Sequence, residues 1–202
     1  VNLSNLLLVF YSFIYMGIGL FSQEAIMLMT NENYLLTWTT IPIFVVGFSI
    51  KSMYYFYVNI IMFYKQTARK LFIATIVGSF ADILLAYILV PYFGMYGAAL
   101  AFVLAKIIIV FIVVHLSKLH DDVGYRITKM LRIIVPSLIF MIVGLYFSYT
   151  KYLTVFSFNN FIYKILVLLA YVLFVYITNK AIIEKALKSG RIFKMLKRVK
   201  SK

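Results

Sequence analysis

The sequence predicts an all-α membrane protein, a polytopic bundle of six transmembrane helices, and three observations carry that reading. Apolar residues make up 64% of the 202 residues and charged residues 13%; a soluble domain carries about 45–50% and about 25%. A water-soluble fold of this length has too little polar material to cover so much apolar surface. Six continuous apolar runs, at 3–22, 37–62, 69–90, 95–117, 128–149 and 160–181, each reach the roughly 20 residues that a helix needs to cross the hydrocarbon core. Finally, the basic residues cluster on one side of those runs. A β-barrel is disfavoured, because the runs are too long and too evenly apolar to alternate with period two.

The first run, Leu3 to Phe21, contains no charge. The second follows the polar segment Thr30-Asn31-Glu32-Asn33-Tyr34. The third and fourth are joined by Pro91-Tyr92-Phe93-Gly94, where proline is expected to stop one helix and glycine to open the next. Connections this short make consecutive spans antiparallel neighbours. Residues 1–181 form the bundle, and 182–202 form a basic tail. In that tail Ile182, Ile183, Ala186, Phe193 and Leu196 can share one side of a helix, which suits an anionic membrane surface; nucleic acid is not an expected partner.

Orientation follows from the positive charges. Counting alternate connections as one side, Lys65, Arg69, Lys70, Lys118, Arg126, Lys129 and Arg132 fall together with nine basic residues of Lys180–Lys202, sixteen in all. The opposite side has Lys151 and Lys164, beside Glu24 and Glu32. The net charge of +14 is thus mainly a topology signal. Both ends of the chain are expected in the cytoplasm of a bacterial cell, with the spans in its inner membrane. The chain starts at Val1 with no charged leader before the first apolar run, which predicts a fragment lacking an N-terminal part.

Three ionisable residues fall deep inside spans, away from their ends: Lys51, Asp82 and Lys106. A charge at the bilayer centre costs about 2.5–3.5 kcal/mol on insertion scales, so such groups face partners or water. Counted from a turn near residue 67, Lys51 and Asp82 lie at about the same depth. Counted from a turn near 92, Asp82 and Lys106 are offset by about 6 Å at 1.5 Å per residue, within reach of a lysine side chain. Thr75, Gly78, Ser79, Asp82 and Ala86 make a small polar stripe on the third span. Gly94, Gly97, Ala98, Ala101 and Ala105 make a close-packing seam on the fourth, opened by the Pro91 turn. Lys106 lies off that seam, facing another neighbour or a cavity. Two readings stand: a water-accessible cavity that receives an anionic head group through Lys51 and Lys106, or a structural pair of Asp82 with one lysine while the other snorkels.

The chemistry of an enzyme is missing. The chain has no cysteine and no glycine-rich phosphate loop. His115, His120, Asp121 and Asp122 gather near one connection, but adjacent carboxylates in a loop are ordinarily solvated. Neither a metal nor a cofactor is expected, and a membrane glycosyl- or acyltransferase would need a clustered His or carboxylate at a membrane face.

The stretch from Gly78 to Ala105 resembles a signature of polysaccharide (O-antigen type) flippases, in the exporter superfamily that also holds multidrug extruders and lipid II flippases. Val90-Pro91-Tyr92-Phe93-Gly94-Met95-Tyr96-Gly97-Ala98-Ala99 matches the Ile-Pro-x-x-Gly-x-x-Gly-Ala-Ala pattern that opens a helix there. Asp82 and Ala86 replace two common asparagines, and Phe102 stands where threonine is frequent. The resemblance covers about residues 20–117. It implies the C-terminal bundle of a 12–14-helix exporter, partnered by an N-terminal bundle of the same protein. It further implies alternating-access translocation of a polyprenyl-diphosphate-linked oligosaccharide for cell-surface polysaccharide or lipopolysaccharide synthesis. A cation-coupled drug exporter of the same fold is the alternative; one carboxylate beside two lysines suits an anionic substrate better.

Overall fold

The computed structural model describes residues 2–63, 65–118 and 127–188, and no strand occurs among them. Helix α1 (Asn2–Leu20) is followed by a short helix α2 (Ser22–Met29) and by a 3-10 segment, Glu32–Thr40. The 3-10 segment runs directly into α3 (Ile41–Phe63). Pro42 sits in the first turn of α3, where a missing N–H leaves nothing unpaired. Then come α4 (Lys65–Lys118), α5 (Ile127–Thr150) and α6 (Phe158–Lys188).

Four helical stretches are each long and apolar enough to cross a membrane, or five if α1 and α2 count as one span bent by 53°. The chain is therefore an all-helical bundle suited to a multi-pass membrane protein. The predicted second run begins at 37, but α-helical geometry starts at Ile41, because residues 32–40 are wound more tightly. The predicted tail at 182–202 falls largely outside the described residues, as do Arg126, His120, Asp121 and Asp122.

Helix α4 is two arms, 65–93 and 95–118, meeting at Gly94 with φ 54° and ψ −130°. That corner of conformational space is open to glycine and strained for any residue with a Cβ. The expectation that Pro91 ends the helix is corrected here: helical structure continues through Pro91 and breaks at Gly94. Pro91 removes one hydrogen bond but fixes φ within the helical range, so the glycine decides where the chain reverses. The arms then pack tightly. A Cβ on Gly97 would lie 2.3 Å from the Leu89 carbonyl oxygen, and one on Gly78 would lie 2.9 Å from Ile109 Cδ1.

Helix α3 is the main neighbour of α4, while α1 packs on α3, α5 and α6. Two apolar clusters fill the bundle. One joins Leu8, Met53, Phe56, Val113 and Ile134; the other joins Met16, Leu20, Trp38, Met141 and Tyr171 at the opposite end. Close approach of α1 to α5 depends on glycine: a Cβ on Gly144 would meet Leu20 Cδ2 at 2.3 Å. Some serines inside the helices satisfy themselves on carbonyls one turn back, as Ser12 does on Val9 (2.8 Å) and Ser137 on Ile134 (2.7 Å). Ser12 also meets the Tyr171 hydroxyl at 2.6 Å, joining α1 to α6.

Candidate functional site

Of Lys51, Asp82 and Lys106, the α4 hairpin brings the last two together. With the reversal at Gly94, Asp82 and Lys106 each lie twelve residues from it. They are therefore level, and the offset expected from a turn near 92 disappears. Lys106 Nζ donates to Asp82 Oδ2 at 3.3 Å, and the two side chains are 16% and 33% exposed. The lysine also lies 4.3 Å from the centroid of the Phe102 ring, a favourable position over the electron-rich face.

Lys51, on α3, has no carboxylate partner among the described residues. Its Nζ lies 6.0 Å from the Tyr55 ring centroid. It opens with Lys106 onto a cavity of about 200 Å³ whose wall includes Tyr54, Tyr55, Thr75 and Ser79. Two ammonium groups thus share one pocket with Ser79, and the carboxylate of Asp82 is paired with one of them, Lys106, without lining the pocket itself. Of the residues assigned to a seam on the second arm of α4 and the turn before it, Gly97, Ala101 and Ala105 are buried, Ala98 is half-buried, and Gly94 and Pro91 are exposed. Ala99, which the seam did not include, is also fully buried.

An aromatic row leads to this pocket. Tyr11 and Tyr15 on α1 stack at 6.2 Å, Tyr15 and Phe48 at 6.4 Å, and Phe48 lies 5.0 Å from Phe102. The row ends under Lys106. Phe102 is therefore both the last ring of the row and the seat of the lysine.

A second polar centre was missed. Lys164, counted from sequence as an outer loop charge, is fully buried. Its Nζ lies 2.7 and 2.9 Å from the two Glu24 carboxylate oxygens and 3.0 Å from Gln23 Oε1. Around it, Asn160 Nδ2 donates to Ser148 Oγ at 2.9 Å, and Gln23 donates to the Tyr152 carbonyl. Glu24 and Lys164 already stood on the same side in the charge count; their opposite signs were the available signal. A charge near a span end reads as solvated, and nothing local says that two ends meet. Nearby, the Trp38 indole N–H donates to the Leu153 carbonyl at 2.9 Å, and the Tyr149 hydroxyl to the Thr39 carbonyl at 2.9 Å. No cluster of three or more His, Asp or Glu residues able to hold a metal occurs among the described residues.

No protein-family model, curated protein or solved structure matches the chain.

Proposed function

We propose that this chain is the C-terminal bundle of a membrane flippase for a polyprenyl-diphosphate-linked oligosaccharide. In this reading the two arms of α4 are separate spans, so that the bent α1–α2 pair, α3, the two arms, α5 and α6 make six. A second bundle of the same protein would complete the path, and the two would rock about a site near the membrane midplane. The resemblance over Gly78–Ala105 suggests the substrate class. The observation that carries the reading is the convergence of Lys51 and Lys106 on one polar cavity, with a single carboxylate to balance them.

The charge balance favours an anion. Lys51 is left with surplus positive charge deep in an apolar bundle, a costly arrangement unless water or an anionic group occupies the pocket. The volume divides the substrate. About 200 Å³ is below the roughly 300–1,000 Å³ of a site for a drug-sized molecule, but a phosphate group fits. Sugar rings would then lie outside it, along Tyr15, Phe48 and Phe102, whose flat faces suit the C–H faces of a pyranose. Asp82 would hold Lys106 in place between substrates, releasing it when a diphosphate competes for the ammonium. The same surplus of positive charge disfavours a cationic drug.

The test is binding of a polyprenyl diphosphate to the whole protein in detergent, with the uncharged polyprenol as control. The diphosphate should bind more tightly, and Lys51→Gln and Lys106→Gln should each remove most of that difference. Equal binding of the two lipids, or binding of the diphosphate unchanged in both variants, would sink the reading.

A further inference from the structure

Helix α2 is built the wrong way round for a helix seated by apolar burial. Its buried residues are Ser22, Gln23 and Glu24, all polar, whereas Leu28 and Met29 are 88% and 82% exposed. Its axis turns 53° away from α1. At the break, the Phe21 ring meets Phe161 edge-on at 5.5 Å. Ile26 adds an apolar contact with the cluster around Leu20 and Trp38; beyond these, α2 is tied to α6 and to the end of α5 by a set of directed polar bonds. Lys164 reaches both oxygens of Glu24 and the Gln23 amide oxygen, and Gln23 reaches the Tyr152 carbonyl.

We propose that the Glu24–Lys164 pair is a latch, and that α2 is the element it releases when this end of the bundle opens. The physical basis is the difference between polar and apolar seating. An apolar seat loses free energy in proportion to the area that water reaches. A polar seat exchanges protein partners for water at small net cost, provided that water arrives as the bond breaks. Lys164 lies within two turns of the start of α6 at Phe158, next to the connection from α5, so water is near. Half-open positions are disfavoured, because they leave a buried charge with neither partner nor water. The pair therefore favours two positions, shut and open, and few between them. This requirement does not depend on the substrate and holds for any function that needs this end to open.

The absence of cysteine in this chain makes the latch measurable. Ser22 is 2% exposed with α2 seated, and its hydroxyl donates to the Gly19 carbonyl at 2.8 Å. In the full-length protein in membranes, Ser22→Cys is exposed to a water-soluble maleimide supplied on both faces. Labelling reports the population of the open position. The carrier with only S22C should label slowly. Adding Glu24→Gln together with Lys164→Met removes both charges, leaves no unpaired ion to unfold the bundle, and should speed labelling by at least about tenfold, the factor that corresponds to about 1.4 kcal/mol. The exchanged pair, Glu24→Lys with Lys164→Glu, should restore slow labelling. Labelling as slow in the neutral double variant as in S22C alone overturns the latch, since α2 would then be seated without the pair. Fast labelling of S22C alone overturns it as well, since α2 would not be held shut. Failure of the exchanged pair to restore protection assigns the seat to other contacts and likewise overturns the proposal.

Discussion

The bundle contains two lysine–carboxylate pairs that are opposites in almost every respect. Asp82 and Lys106 join two arms of one hairpin, touch through a single 3.3 Å contact, and remain partly exposed beside a cavity. Glu24 and Lys164 come from opposite ends of the chain, touch through two contacts of 2.7 and 2.9 Å, and sit in a closed network with Gln23. The first pair is deep in the apolar runs and the second near their ends, yet the second is the more buried. Depth along a helix and burial within a bundle are thus separate quantities. Where a pair has water or a cavity beside it, its bond can be traded for a ligand; where it is enclosed, its bond holds elements together.

The largest expected effect tests the enclosed pair. Lys164→Met leaves the Glu24 carboxylate buried without its counter-ion and should cost about 3–5 kcal/mol, read as a large fall in the thermal midpoint of the detergent-solubilised protein. A loss under about 1 kcal/mol would mean that Glu24 reaches water and that the two pairs do not differ.

Next comes the hairpin that creates the open pair. Gly94→Ala forces a side chain into a backbone position with φ 54° and should cost about 1–3 kcal/mol. The informative step is the combination. If Gly94→Ala moves the arms apart, adding Lys106→Met should cost little more, whereas adding Lys164→Met should cost its full amount, because sites without shared partners add. Full additivity of Gly94→Ala with Lys106→Met would show that the hairpin does not set the pair.

Smaller still is the stability effect of breaking the open pair itself. Asp82→Asn or Lys106→Met should change stability by about 1 kcal/mol or less, as partly exposed pairs do, while membrane insertion is retained and, under the proposed function, transport falls. Loss of assembly instead would make Asp82–Lys106 a structural pair. Lys51→Gln closes the series. With no carboxylate to abandon, it should leave the thermal midpoint unchanged and affect only binding of an anionic lipid.

Much of this was legible in the residues, and the failures have physical reasons. The apolar runs announce the helices because hydrophobic length is a local property. Counting along the chain placed Lys51, Asp82 and Lys106 in one layer but left open which lysine pairs with Asp82; the structure pairs it with Lys106 and leaves Lys51 on the cavity that Lys106 also lines. The position of the reversal was misjudged because Pro91 is the stronger helix breaker in isolation, while the backbone of Gly94 takes up the turn. The bend between α1 and α2 left no mark, since Phe21 and Ser22 carry no breaker. Glu24 and Lys164, 140 residues apart, were each read as ordinary end-of-span charges.

The sequence by itself determined a chain of apolar helices with charges at chosen depths, because the cost of placing a residue in hydrocarbon is paid residue by residue. Tertiary structure decided which charges meet. It set Asp82 level with Lys106 through one glycine and carried Lys164 across the bundle to Glu24. Those outcomes depend on contacts between helices remote in the chain, where burial and pairing are properties of the assembled bundle and not of any segment.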